Sequence, residues 1–212
     1  MFRIRTYNQI ALRGLERFPR DRFEVASELS EPDALLLRSH PLGGDDIPPT
    51  VKAVARAGAG VNNIDVAHCS ARGIPVFNTP GANANAVKEL VVAGLLLASR
   101  HLREGLDWVA GLRADSEADL HRQVEEGKKH FQGRELRGRT LGVVGLGAIG
   151  SRVAHTALSL DMNVIGYDPA LSVDAAWRLP SQVAPMASLE ALLARADYVT
   201  LHLPLLDATR NL

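Results

Sequence analysis

Thr140-Leu141-Gly142-Val143-Val144-Gly145-Leu146-Gly147-Ala148-Ile149-Gly150-Ser151-Arg152-Val153-Ala154 is the stretch from which the rest of this 212-residue chain is read. An apolar run of strand character enters Gly-x-Gly-x-x-Gly directly, and the last glycine opens a segment of helical period. In such a turn Gly145 permits the tight bend and Gly147 lets a pyrophosphate approach the main chain. Gly150 lets the helix close on the strand. The phosphates then sit on unpaired N–H groups at a positive helix end, so no lysine is required. A second apolar run, Met162-Asn163-Val164-Ile165-Gly166-Tyr167, follows and ends in Asp168. Asp168 lies 18 positions beyond Gly150, near the roughly 20 expected of the acid that binds an adenosine ribose. The alternative is an ordinary strand-to-helix turn, since glycine turns are common.

The length suffices for one large domain or two modest ones. Apolar residues make up 46% and charged residues 23%, the balance of a soluble globular protein. Lys+Arg and Asp+Glu stand at 24 each, so net charge points to neither nucleic acid nor an anionic membrane. A single cysteine, Cys69, excludes an internal disulfide, suits the reducing cytosol and reads as a small buried thiol rather than a metal ligand. Arg3 and Arg5 follow Met1 with no long apolar stretch, so no signal peptide is expected. Residues 90–98 are the most apolar segment, far short of the roughly 20 that span a bilayer. They read as a buried helix.

Upstream of the glycine motif, residues 2–7, 23–26 and 34–37 read as strands and 8–17 as a helix capped by Asn8. Arg38-Ser39-His40 follows the third strand, at the end where open α/β sheets collect ligands. Val51-Lys52-Ala53-Val54-Ala55-Arg56 is a further strand. It runs into Ala57-Gly58-Ala59-Gly60-Val61-Asn62-Asn63-Ile64-Asp65, whose glycines present bare N–H groups ahead of a helix at 64–72. Residues 74–78 form another strand. A long helix is expected over 84–102, with Val87, Leu90, Val91, Leu95 and Ala98 on its apolar face and Glu89 either a buried carboxylate or a rim residue. Residues 105–132 turn amphipathic and charged, which suggests helical arms outside the cores; Trp108 and Phe131 invite a partner, although internal packing explains them as well. Past Asp168, residues 171–185 have no clear period and are expected to be irregular. Residues 188–194 read as a helix capped by Ser188, and 198–202 as the third strand of the cofactor unit. This alternation argues parallel sheets with helices on both faces.

Several of these stretches together resemble the D-isomer-specific 2-hydroxyacid dehydrogenases. They are Arg56 to Asp65, Asn78-Thr79-Pro80-Gly81-Ala82-Asn83, Glu89-Leu90, the Gly145–Gly150 motif with Asp168, and His202-Leu203-Pro204-Leu205 with Thr209. Tyr7-Asn8, Leu15-Glu16 and Leu37-Arg38-Ser39 resemble the phosphoglycerate dehydrogenase branch of that family. The resemblance runs along the whole chain but covers about the first half of such an enzyme. It implies an α/β protein with a flavodoxin-like substrate domain over 1–98 and a Rossmann-type, doubly wound NAD-binding domain over 99–212, both expected to be incomplete at 212. A homodimer paired through an arm at about 100–132 is also implied.

Position by position, the resemblance places the substrate carboxylate on Gly58, Ala59 and Gly60, with Arg38 and Arg56 neutralising a phosphate and Ser39 also among the substrate-binding residues. Asp168 matches the ribose acid, Ala148 and Ile149 the residues over the pyrophosphate, and His202, Leu203 and Pro204 the loop on the adenine side. The family's catalytic arginine, glutamate and histidine belong to downstream motifs that this sequence does not contain. His202, matching a cofactor-loop position, is not read as an acid or base. The reaction implied is NAD-dependent oxidation of 3-phosphoglycerate to 3-phosphohydroxypyruvate in serine biosynthesis, in the cytoplasm, on a small phosphorylated 2-hydroxy acid without nucleic acid or membrane. The isolated chain is expected to be inactive. A glyoxylate or hydroxypyruvate reductase, or another D-2-hydroxyacid dehydrogenase, is the alternative of the same class; a non-catalytic NAD-binding module is the alternative of another.

Overall fold

Short apolar runs alternating with helices produce two wholly parallel sheets, one in each of the units Met1–Asn83 and Ala84–Leu212. The structure, a computed structural model, describes residues 1–212. The first unit contains β1 (Phe2–Thr6), α1 (Leu12–Leu15), β2 (Phe23–Ala26), β3 (Ala34–Leu37), β4 (Ala53–Arg56), α2 (Val66–Ala71) and β5 (Val76–Phe77). Its sheet order is β2-β1-β3-β4-β5, the flavodoxin-like order. Leu35 and Leu37 of β3 and Val54 of β4 are fully buried, because the central strands are covered on their faces. Cys69 of α2 packs in the same core, where burial pushes its thiol pKa up.

Local expectations shift here for identifiable reasons. Asn8 caps no helix: it takes the left-handed conformation (φ 63°), and α1 starts only at Leu12. The N-cap in this unit is Asp65, whose Oδ1 accepts the His68 N–H at 2.9 Å, so α2 begins at Val66 rather than 64.

The second unit runs α3 (Ala84–Arg100), α4 (Leu102–Gly111), α5 (Glu117–Gly127), β6 (Thr140–Val144), α6 (Gly150–Ser159), β7 (Asn163–Tyr167), α7 (Val173–Ala176), β8 (Ala184–Pro185), α8 (Leu189–Leu193) and β9 (Tyr198–Leu201). The sheet order is β8-β7-β6-β9, so the order in which strands are added reverses at β6, as in the first four strands of a Rossmann sheet. The segment expected to be irregular supplies α7 and β8, too short to show a period. Tyr198–Leu201 is therefore the fourth strand of this sheet and not the third. Leu141, Val143 and Val144 are fully buried, and α8 lies so close to β6 that a side chain at Gly142 would collide with Leu192.

The division between units falls at Asn83/Ala84, ahead of the expected 98/99, because α3 packs on α6. Within 90–98 only Val91 and Leu95 pack against the core; Leu90 (72% exposed) and Leu97 (48%) face outward, so residues 90–98 are not a buried helix. Glu89 is an exposed rim residue whose Oε1 accepts the Asn85 side-chain N–H at 2.7 Å. The helix stops at Arg100, since His101 adopts φ 48° and breaks it from α4. In the 102–131 region, Trp108 and Phe131 pack on each other (ring centroids 5.4 Å apart), with Trp108 seated over Gly127. They serve internal packing, while Leu106 and Val109 remain exposed. Ser188 caps α8 through the Ala191 N–H at 3.2 Å. No helix is long and apolar enough to cross a membrane.

Candidate functional site

In the second unit the site forms where β6 and β9, neighbours in space, are followed by loops at their carboxyl ends. That is the switch point of the sheet, where open α/β folds hold ligands. Gly145 leaves β6 with φ 87°, a conformation that side chains resist. Its N–H donates to the Tyr167 carbonyl at 2.9 Å. A Cβ there would meet the His202 carbonyl oxygen at 2.6 Å and Leu203 Cδ2 at 2.9 Å, so the glycine turn and the loop after β9 are pressed together. Gly147 is the opposite case: nothing stands within 4 Å of where its Cβ would be. The N–H groups of Gly147 and Ala148 have no acceptor in the chain. A side chain at Gly150 would strike the Gly145 carbonyl and approach Val143 Cγ1 to 3.2 Å, so this glycine brings α6 onto β6.

Asp168 stands at the end of β7, and both its oxygens are oriented by main chain. Oδ2 accepts the Leu146 N–H at 2.8 Å, and Oδ1 the Ala170 N–H at 3.0 Å. The loop after β9 is held by Thr209, whose hydroxyl donates to the Pro204 carbonyl at 2.6 Å and accepts the Leu206 N–H at 2.8 Å. His202 is fixed through its N–H to the Val144 carbonyl (2.8 Å), and its ring Nε2 lies 3.0 Å from Thr200 Oγ1. Burial pushes its pKa below the ordinary 6.5, which suits a neutral wall and not a proton carrier at neutral pH. Gly145 thus presses on His202 and Leu203, and Asp168 accepts the Leu146 N–H next to the unpaired Gly147 and Ala148 amides. Ile149 turns partly into the core. An open glycine cradle with bare N–H groups beside an oriented carboxylate fits a dinucleotide: pyrophosphate on the former, ribose hydroxyls on the latter.

The first unit gathers a second set at the carboxyl ends of β3 and β4. The Arg56 Nε–H donates to the Arg38 carbonyl at 2.9 Å. Its Nη1 lies 3.5 Å from Asn62 Oδ1 and only 2.9 Å from where a Cβ of Gly60 would stand. Arg56 is therefore seated against the Gly58-Ala59-Gly60 loop. That loop is pinned by Thr79 N–H to the Gly58 carbonyl (2.9 Å) and by Asn78 Nδ2–H to the Ala59 carbonyl (2.6 Å). Arg38 joins through its main chain, and its side chain is exposed.

Two asparagines clasp the 38–40 turn. Asn8 Oδ1 accepts the N–H groups of Ser39 (3.0 Å) and His40 (2.8 Å), and Asn63 Nδ2 donates to the carbonyls of Arg38 (3.3 Å) and His40 (2.6 Å). The sequence reading missed both roles. Asn8 stands 31 and 32 positions from Ser39 and His40, and Asn63 stands 25 and 23 positions from Arg38 and His40, so no local pattern announces them.

Residues 92–212 match the family described as D-isomer specific 2-hydroxyacid dehydrogenase, NAD binding domain. The chain is 35% identical over 192 residues to the D-3-phosphoglycerate dehydrogenase of Methanocaldococcus jannaschii, covering 89% of this chain and 34% of that protein. It is 36% identical over 197 residues to the hydroxypyruvate reductase of Thermotoga maritima, covering 89% and 57% respectively. It thus spans about a third of the length of the first of these relatives and somewhat more than half of the second. The NAD+-bound 3-phosphoglycerate dehydrogenase of Entamoeba histolytica is similar in structure (TM-score 0.71, 25% identity, 98% of this chain and 64% of that one). With more than half of its residues inside the family match, the chain belongs to the D-isomer-specific 2-hydroxyacid dehydrogenases and carries their NAD-binding fold.

Proposed function

We propose that these residues serve an NAD-dependent dehydrogenase of a phosphorylated 2-hydroxy acid, D-3-phosphoglycerate, oxidised to 3-phosphohydroxypyruvate for serine biosynthesis. The observation that carries the reading is Arg56, seated against the Gly58-Ala59-Gly60 loop with Arg38 exposed on the adjoining turn. A substrate bearing both carboxylate and phosphate needs more than loop amides, and guanidinium contacts to such oxygens are among the strong ones. In this assignment Gly58, Ala59, Gly60 and Ser39 receive the carboxylate end, and Arg38 and Arg56 the phosphate. Gly145, Gly147, Ala148, Ile149 and Gly150 hold the pyrophosphate of NAD, and Asp168 its adenosine ribose. His202, Leu203 and Pro204 wall the adenine side. When bound, the nicotinamide accepts hydride from C2 of the substrate; the chain's part is to orient and to neutralise, and no residue of it is assigned as the base.

The same reading includes a cytoplasmic homodimer. Exposed Leu106 and Val109 on α4, in the 100–132 arm, support isologous pairing, and the single reduced cysteine supports the compartment. The relative named hydroxypyruvate reductase, at 36% identity, favours a second reading in which the substrate carries no phosphate.

Titration of the protein with 3-phosphoglycerate and with D-glycerate separates the two. Tighter binding of the phosphorylated acid, abolished by Arg56→Gln, is the expected result. Equal binding of both acids transfers the assignment to the unphosphorylated substrate.

A further inference from the structure

The second unit carries a cationic cavity that the cofactor reading does not use. It has a volume of about 370 Å³ and is lined by Lys88 of α3, by Arg152, His155 and Thr156 of α6, and by Arg178 in the segment after α7. No carboxylate lines it, in a chain whose acidic and basic residues balance at 24 each. An ordinary solvated face interleaves both signs; here α6, Gly-Ser-Arg-Val-Ala-His-Thr-Ala-Leu-Ser, contains no acid at all. Arg152, His155 and Thr156 stand three and four positions apart, on one side of that helix.

Lys88 is not a freely waving surface lysine. Its side chain is 21% exposed, its ammonium donates to Asn85 Oδ1 at 2.7 Å, and the nearest carboxylate, Glu89, is 4.0 Å away. Arg152 and Arg178 form no ion pair, nor does His155. Lys88 has one counter-charge at its edge, Glu89, and the two arginines have none; cations grouped in one concavity with so little compensation raise its potential and attract an anion. Ser151, on the wall nearest the glycine turn, already donates its hydroxyl to the Gly147 carbonyl at 2.8 Å. The donors that remain available to a ligand are therefore those of Lys88, Arg152, His155, Thr156 and Arg178.

The geometry points to a binding site for a small phosphate-bearing anion on the α3–α6 flank, separate from the dinucleotide groove. Arg152 and Arg178 supply planar forks suited to phosphate oxygens, Lys88 adds a point charge, and the Thr156 hydroxyl adds a neutral donor. The volume lies within the roughly 300–1,000 Å³ range of small-molecule sites, enough for a phosphate and a short organic body.

The test is a titration of the full 212-residue chain with inorganic phosphate at constant ionic strength, followed by amide NMR shifts with and without NAD. Saturable shifts at Arg152, His155, Thr156 and Arg178 that persist with NAD are expected. The Arg152→Gln/Arg178→Gln double variant should weaken them roughly tenfold, with thermal stability and NAD titration unchanged. Shifts confined to the Gly145–Gly150 turn would assign the phosphate to the cofactor groove and overturn the proposal. Linear, non-saturating shifts, or binding undiminished in the double variant, would overturn it equally.

Discussion

The carboxylate of Asp168 accepts the main-chain N–H of Leu146 at 2.8 Å, tying the end of β7 to the middle of the glycine turn. An ionised carboxylate offers about four lone-pair sites. Leu146 and Ala170 occupy one on each oxygen, so the acid is oriented before any ribose arrives and retains capacity to accept its hydroxyls.

Replacing Asp168 with Ala should therefore do two things. It leaves the N–H of buried Leu146 without its acceptor, a loss of about 1–3 kcal/mol in stability. It also weakens NAD and narrows the preference over NADP, because the charge that repels a 2′-phosphate is gone. Urea unfolding reads the first effect and paired cofactor titrations the second; unchanged stability would mean that water satisfies Leu146.

Gly147 and Gly150 should part company under the same substitution. Gly147→Ala meets nothing in the folded chain and should leave the melting temperature within about 2 °C of wild type, yet weaken NAD by crowding the pyrophosphate. Gly150→Ala drives a methyl into the Gly145 carbonyl and should destabilise the unit by about 1–3 kcal/mol or more. Thermal melts with NAD titration distinguish them, and equal melting of the two variants would contradict the packing described.

Asn8→Ala removes the acceptor of two main-chain N–H groups, Ser39 and His40. The turn that carries Arg38 should loosen, at a cost of about 1–2 kcal/mol. Asn8→Asp, which keeps the accepting oxygen, should restore most of it. Denaturant midpoints of the two variants check this; equal loss in both would show that the accepting oxygen of residue 8 does not hold the turn.

Burial depresses the pKa of His202 below 6.5, so the fold favours the neutral ring. That contribution is full above pH 6.5. As pH falls below it, the unfolded chain takes up the proton first and stability drops towards the folded-state pKa. His202→Gln should flatten the fall in unfolding midpoint as the pH drops below about 6.5. An identical slope in wild type and variant would assign the acid sensitivity elsewhere.

Sequence alone determined the parts whose physics is local. The strand-turn-helix of residues 140–154 needs glycine at Gly145 for a positive φ and at Gly150 for close approach, and both requirements are visible in the order of residues. The alternation of apolar runs determined parallel sheets, and the Ser188 cap was legible because its hydroxyl bonds a main-chain N–H three positions on. Tertiary structure decided whatever joins distant residues. Strand β8 is two residues long and acquires its identity only by pairing with β7, which makes Tyr198–Leu201 the fourth strand. Leu90 and Leu97 have the apolarity of a buried helix, but a helix turns a single stripe towards α6 and leaves the rest outside. Asn8 and Asn63 read as turn residues until the fold places them on either side of the Arg38 turn, since a hydrogen bond depends on distance in space and not along the chain.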